Sequence, residues 1–77
     1  MIEFERFSKN INTAHLAYIT GNEDIVLKVI KWILVFFPNS KEDIEHFMFY
    51  TNFGLLEGFE MTIEELYLKL LENENQG

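Results

Sequence analysis

His46 and the two carboxylates before it are the residues whose types and spacing could hold a metal ion. Glu42 and Asp43 precede His46 by four and three positions, so the three can share one face of a helix. The Asp-x-x-His spacing approximates the Glu-x-x-His motif of carboxylate-bridged metal sites in helical bundles. Those sites need a second motif, which this sequence lacks. We therefore predict no metal site within one chain, although a symmetric pair of chains would double the set.

Two Glu-x-x-Glu spacings give another arrangement of carboxylates. Glu42 is followed by Glu45, and Glu57 is followed by Glu60. This spacing resembles that of the magnesium-binding glutamates of all-α nucleotide pyrophosphohydrolases. The second pair straddles Gly58 in a predicted turn, so its members would not share a helix face. The resemblance is confined to these spacings, and we do not infer membership of that family.

Other catalytic chemistry has few residues to work with. The glycines stand singly at positions 21, 54, 58 and 77, so the sequence contains no glycine-rich phosphate loop. Ser8 and Ser40 lie in no nucleophile motif. His15 has no carboxylate within one helical turn, which is typical of a structural histidine. We therefore predict no catalytic, cofactor-binding or metal-binding residue and expect that the protein is not an enzyme.

Four segments with helical periodicity would position these residues. In the first, apolar residues step by three and four from Phe4 to Tyr18, and Gly21 would end the helix. The alternation over residues 2–7 also fits an edge strand, but the longer spacing favours a helix. The patterns predict an all-α fold, a compact bundle of three to four short antiparallel helices. We expect a single domain over residues 1–77, with a polar, frayed tail at about 73–77.

The second segment, IVLKVIKWILVFF over residues 25–37, is the most apolar part of the chain. It is shorter than the roughly 20 apolar residues that span a bilayer, and it contains two lysines. Asp24, Lys28 and Lys31 fall on one stripe of the predicted helix. The sequence therefore predicts a nearly buried central helix with one wet edge, and no membrane insertion.

Capping residues divide the chain between these helices. Asn22 is a natural N-cap for the second helix, which should end at Phe37 because a proline follows. Ser40 would cap the third helix, with Asp43 completing a variant of the capping box.

The fourth segment has the clearest local signals. Thr62 and Glu65 form a T-x-x-E capping box, and Met61 and Leu66 form a hydrophobic staple across it. The apolar stripe of this helix then follows at helical spacing: Ile63, Leu66, Tyr67, Leu70 and Leu71.

The formal charge of −7 is concentrated in the second half of the chain. Residues 1–38 have four basic and four acidic side chains, whereas residues 39–77 have two lysines and nine carboxylates. An acidic half lacks the attraction to phosphate that supplies most non-specific affinity for nucleic acids, so we expect no direct nucleic-acid binding. The acidic half would instead bind a basic protein, or its charges would serve only to keep the chain in solution.

Composition also bears on location and on association. The sequence has no cysteine and no basic and apolar leader, so we expect a cytoplasmic location. Eight phenylalanines in 77 residues are difficult to bury in so small a domain. This size and composition favour a homo-oligomer or a standing partner.

These features favour a non-enzymatic, acidic protein–protein interaction module that binds and blocks a basic or nucleic-acid-binding partner, as inhibitors and immunity factors of phages and plasmids do. One alternative is a homo-oligomeric assembly subunit, for example a homodimer. Another is a metal-dependent hydrolase with a site completed across a symmetric interface.

Aromatic residues are favoured at protein-binding surfaces because they give a large contact area at little entropic cost. The predicted partner-binding residues are Phe49, Tyr50, Phe53, Glu57, Glu60, Glu64 and Tyr67.

Overall fold

The computed structural model describes residues 2–49 and 61–76, and within these ranges it contains four helices and no strand. The predicted all-α bundle is confirmed. The helices are α1 (Phe4–Ile19), α2 (Glu23–Phe36), α3 (Lys41–Phe49) and α4 (Ile63–Gln76).

Helix α1 settles the choice between helix and edge strand near the N-terminus. The helix begins at Phe4, and its buried residues are Phe7, Ile11, Ala14 and Ala17. The ends of the predicted seam are less buried, since Phe4 and Tyr18 are each 39% exposed. Gly21 ends the helix with φ +81°, and its amide donates to the carbonyl of Tyr18. The amide of Asn22 donates to the carbonyl of Ala17 at 2.8 Å, which completes a Schellman motif.

Helix α2 is less buried than its composition suggests. Its inner face contains Val26, Val29, Ile30 and Ile33. The predicted wet edge is present, since Asp24, Lys28 and Lys31 are exposed. It is wider than predicted, because Leu27 and Val35 (51% and 75% exposed) lie on the same side of the helix. A domain of this size has too little interior to cover every side chain of so apolar a helix.

The ends of α2 also differ in detail from the prediction. Asn22 occupies the N-cap position, but its side chain makes no capping hydrogen bond. The helix ends at Phe36, one residue before the predicted end, and Phe37 is its buried C-cap.

Helix α3 follows Ser40, as predicted, and the Ile44 amide donates to the Ser40 carbonyl at 2.9 Å. Its buried residues are Ile44, Phe47 and Met48. The predicted turn at Gly58 lies outside the described residues.

Helix α4 begins as its local sequence predicts. The Thr62 amide donates to Glu65 Oε1 at 3.1 Å, and the Glu65 amide donates to Thr62 Oγ1 at 3.0 Å. This reciprocal pair is the predicted capping box. Met61 packs against the core and Leu66 is fully buried, which agrees with the staple. At the other end, where the sequence predicts a frayed tail, the helix continues to Gln76.

The helices form a ring around one core. Helix α1 packs against α2 and α4, and α3 packs against the same two helices. Helices α2 and α4 are therefore placed diagonally across the bundle. None of the described helices is both long and apolar enough to span a membrane.

Candidate protein-interaction surface

An aromatic cluster fixes α4 against the first half of the chain. The Tyr67 ring lies 5.3 Å from the ring of Phe4, 5.2 Å from that of Phe7 and 6.4 Å from that of Phe37, measured between centroids. The Tyr67 hydroxyl donates to the carbonyl of Ile2 at 2.8 Å. Tyr67 was predicted as an exposed partner-binding aromatic, but it is half-buried and engaged within the bundle. We call these five residues the aromatic cluster.

A polar cluster fixes the C-terminal part of α4 against α3. Asn73 Nδ2 donates to Ser40 Oγ at 3.1 Å and to Asp43 Oδ2 at 2.7 Å. Lys69 Nζ lies 3.1 Å from Asp43 Oδ1. Because Ser40 is only 1% exposed, Asn73 supplies a hydrogen bond that water cannot easily replace. These four residues, the polar cluster, explain why α4 remains helical where a frayed tail was predicted.

The two clusters determine which residues of α4 face outward. Glu64, Leu68 and Glu72 follow one another at intervals of four residues and are all exposed. We call these three residues the acidic face. Leu68 is 55% exposed between the two carboxylates. The sole lysine of α4, Lys69, pairs with Asp43.

The remaining predicted partner-binding residues divide into two groups. Phe49 is half-buried, with its ring 5.9 Å from that of Tyr18, and it packs against the core. It is therefore not the open aromatic surface that the sequence suggested. Tyr50, Phe53, Glu57 and Glu60 lie outside the described residues.

The sequence reasoning missed several exposed apolar residues. Leu16 and Ile19 on α1 are each 64% exposed, and Leu68 was not singled out. The signal was present for Leu68, because a leucine at position 68 falls outside the stripe of Ile63, Tyr67 and Leu70.

The residues that could hold a metal ion do not converge. His46 and Glu42 are exposed on α3, while Asp43 is committed to Lys69 and Asn73. Across residues 2–49 and 61–76, no three side chains of the histidine, cysteine, aspartate or glutamate type are grouped for metal binding.

Comparison with known proteins adds no assignment. No protein family matches the chain, and no curated protein or solved structure is significantly similar to it.

Proposed function

We propose that this protein is a non-enzymatic protein–protein interaction module whose acidic face binds a basic surface with an apolar centre. The observation that carries the proposal is the exposure of Leu68 with an exposed carboxylate one helical turn to each side, Glu64 and Glu72. An apolar anchor flanked by like charges suits a partner with an apolar patch and basic surroundings.

The rigid support of α4 favours recognition over mere solvation. A face held by packed side chains binds without first having to be ordered, so little of the binding free energy is lost. The aromatic cluster and the polar cluster hold α4 on two sides. Within this class we favour an inhibitor that covers a basic surface of its partner, including the groove of a nucleic-acid-binding protein.

A defined basic probe tests the proposal. The probe is a synthetic amphipathic peptide with leucines on one helical face and lysines beside them, titrated calorimetrically. We expect binding in a one-to-one ratio that weakens with salt. Leu68→Ser should weaken it at least about tenfold, because the anchor is removed from the centre of the contact.

A matched charge control separates the acidic face from net charge. The double variant Glu64→Lys/Glu72→Lys should lose binding, whereas Glu23→Lys/Glu42→Lys should retain it. Glu23 and Glu42 are exposed on α2 and α3, so the change in net charge is the same. An equal loss in both double variants would show that only overall charge attracts the peptide, and the proposal would fail.

A further inference from the structure

A groove between α2 and α3 has the opposite chemical character to the acidic face. Its volume is about 510 Å³, and apolar residues of α2 form its floor. Charged residues of both helices surround the floor. The full lining is Asp24, Leu27, Lys28, Ile30, Lys31, Leu34, Lys41 and Glu45.

This groove concentrates the basic charge of an acidic protein. Lys28, Lys31 and Lys41 are three of the six basic residues of the chain. Two carboxylates also line the groove, so positive charge is in excess by one. The other described basic side chains include Arg6, which lies over the Trp32 ring at 5.5 Å, and Lys69, which pairs with Asp43.

The shape and chemistry of the groove fit an acidic amphipathic helix. A groove between two helices accepts the apolar face of a third helix, whose anchors recur at about one-turn intervals. On the acidic face of α4, one leucine has a carboxylate one turn to each side, about 6 Å away along the axis. Leu68 would lie on the floor near Leu27 and Leu34, and Glu64 and Glu72 would meet the lysines.

The topology excludes docking of α4 within its own chain. Helix α4 packs against α1 and α3, diagonally across from α2, and its acidic face points out of the bundle. We infer that the acidic face of one copy docks into the α2–α3 groove of a second copy. This inference rests on the proposed function, since it names the basic surface that the acidic face recognises.

The placement of the two surfaces also determines the geometry of association. Because α4 and α2 are diagonal, the acidic face and the groove lie on different sides of one copy. The contact is therefore head to tail, which gives a ring or a growing chain. Each copy has a formal charge of −7, but the contact is short-range, while repulsion between distant charges is screened within about 8 Å at physiological salt.

Charge reversal with rescue tests this contact in the full chain. Multi-angle light scattering across a hundredfold concentration range would follow wild type, Lys28→Glu/Lys31→Glu, Glu64→Lys/Glu72→Lys, and an equimolar mixture of the two variants. We expect the mass of wild type to rise with concentration beyond a dimer. Each variant alone should associate at least about tenfold more weakly, because like charges then face each other.

The mixture is the decisive sample. It pairs the reversed groove with the reversed acidic face and the native groove with the native acidic face, so association should return. That return would also show that both variants are folded. If net charge alone governed association, the less negative variant, Glu64→Lys/Glu72→Lys, would associate more strongly than wild type. Mixing the two variants would then restore no association. This pair of results would overturn the inference.

Two further results would overturn it without touching the proposed function. A wild-type chain that remains monomeric throughout the range excludes a second copy as the occupant. The second such result is association that survives Glu64→Lys/Glu72→Lys and is lost in Lys28→Glu/Lys31→Glu. The groove would then bind a surface of the second copy other than the acidic face. In either case, binding of the basic peptide by the acidic face would still be decided by its own titration.

Discussion

The aromatic cluster and the polar cluster hold the same helix by different physical means. The aromatic cluster removes large apolar surface from water, with Phe7 fully buried beside Tyr67. The polar cluster contributes directional hydrogen bonds among Ser40, Asp43 and Asn73. On folding, these bonds replace the hydrogen bonds that the same groups make to water in the unfolded chain, so their net contribution to stability is small. The first should therefore dominate the free energy of unfolding, whereas the second should determine how far α4 extends and how it is rotated.

The largest effect is expected at the centre of the aromatic cluster. Phe7→Ala should lower the free energy of unfolding by about 3–5 kcal/mol, because it removes a fully buried ring and leaves a cavity. The total free energy of unfolding of a chain of this length is about 4–12 kcal/mol, so we expect this variant to be partly unfolded. Urea titration followed by circular dichroism measures the loss.

The matched control for Phe7→Ala lies on the same helix. Leu16→Ala removes an exposed apolar side chain and should change stability by no more than about 0.5 kcal/mol. Equal losses in the two variants would contradict the burial on which the comparison rests.

A smaller effect is expected in the polar cluster. Asn73→Ala should cost about 1–3 kcal/mol, because the buried Ser40 hydroxyl loses the amide that donates to it. The exposed Asn75 lies two residues further on, so Asn75→Ala is the control and should be nearly neutral. Hydrogen exchange should show that Asn73→Ala selectively unprotects the last turn of α4. Loss of protection throughout the bundle would mean that the polar cluster also supports the core.

The hydroxyl of Tyr67 gives the polar contribution within the aromatic cluster. Tyr67→Phe keeps the ring against Phe4, Phe7 and Phe37 and removes only the bond to the Ile2 carbonyl. We expect a loss of about 1 kcal/mol, the net value of one intramolecular hydrogen bond. Urea titration would place this variant between wild type and Tyr67→Ala. A loss as large as that of Tyr67→Ala would show that the hydroxyl, not the ring, fixes α4.

Local signals predicted the parts of this structure whose partners are close in sequence. The capping box joins Thr62 to Glu65, three residues away, and Gly21 ends α1 through its own backbone conformation. The contacts that orient α4 are different, since Tyr67 reaches Ile2 across 65 positions and Asn73 reaches Ser40 across 33. Periodicity shows which face of a helix turns inward, but it does not identify the side chains that this face meets.

The candidate surface was only partly predictable for the same reason. Glu64 was expected at a binding surface, and the position of Leu68 outside the apolar stripe was a signal in the sequence. The pairing of Lys69 with Asp43, by contrast, joins residues 26 positions apart and could not be read from local spacing.

Helix α2 shows the limit of composition. Composition alone does not distinguish the exposed Leu27 and Val35 from the buried residues, but both lie four residues from Lys31, on the stripe of Asp24, Lys28 and Lys31.

The smallest stability effect should come from the ion pair of the polar cluster. Lys69→Gln removes the charge that meets Asp43, but both side chains are partly exposed, so water and salt already weaken the attraction. We expect a loss of about 0.2–1 kcal/mol, measured by urea titration at low salt, which should shrink at high salt. Lys9→Gln, an exposed lysine on α1, is the control for the change in net charge. A loss that is larger and independent of salt would mean that Lys69 orients Asp43 for Asn73, and the ion pair would then help to determine the rotation of the acidic face.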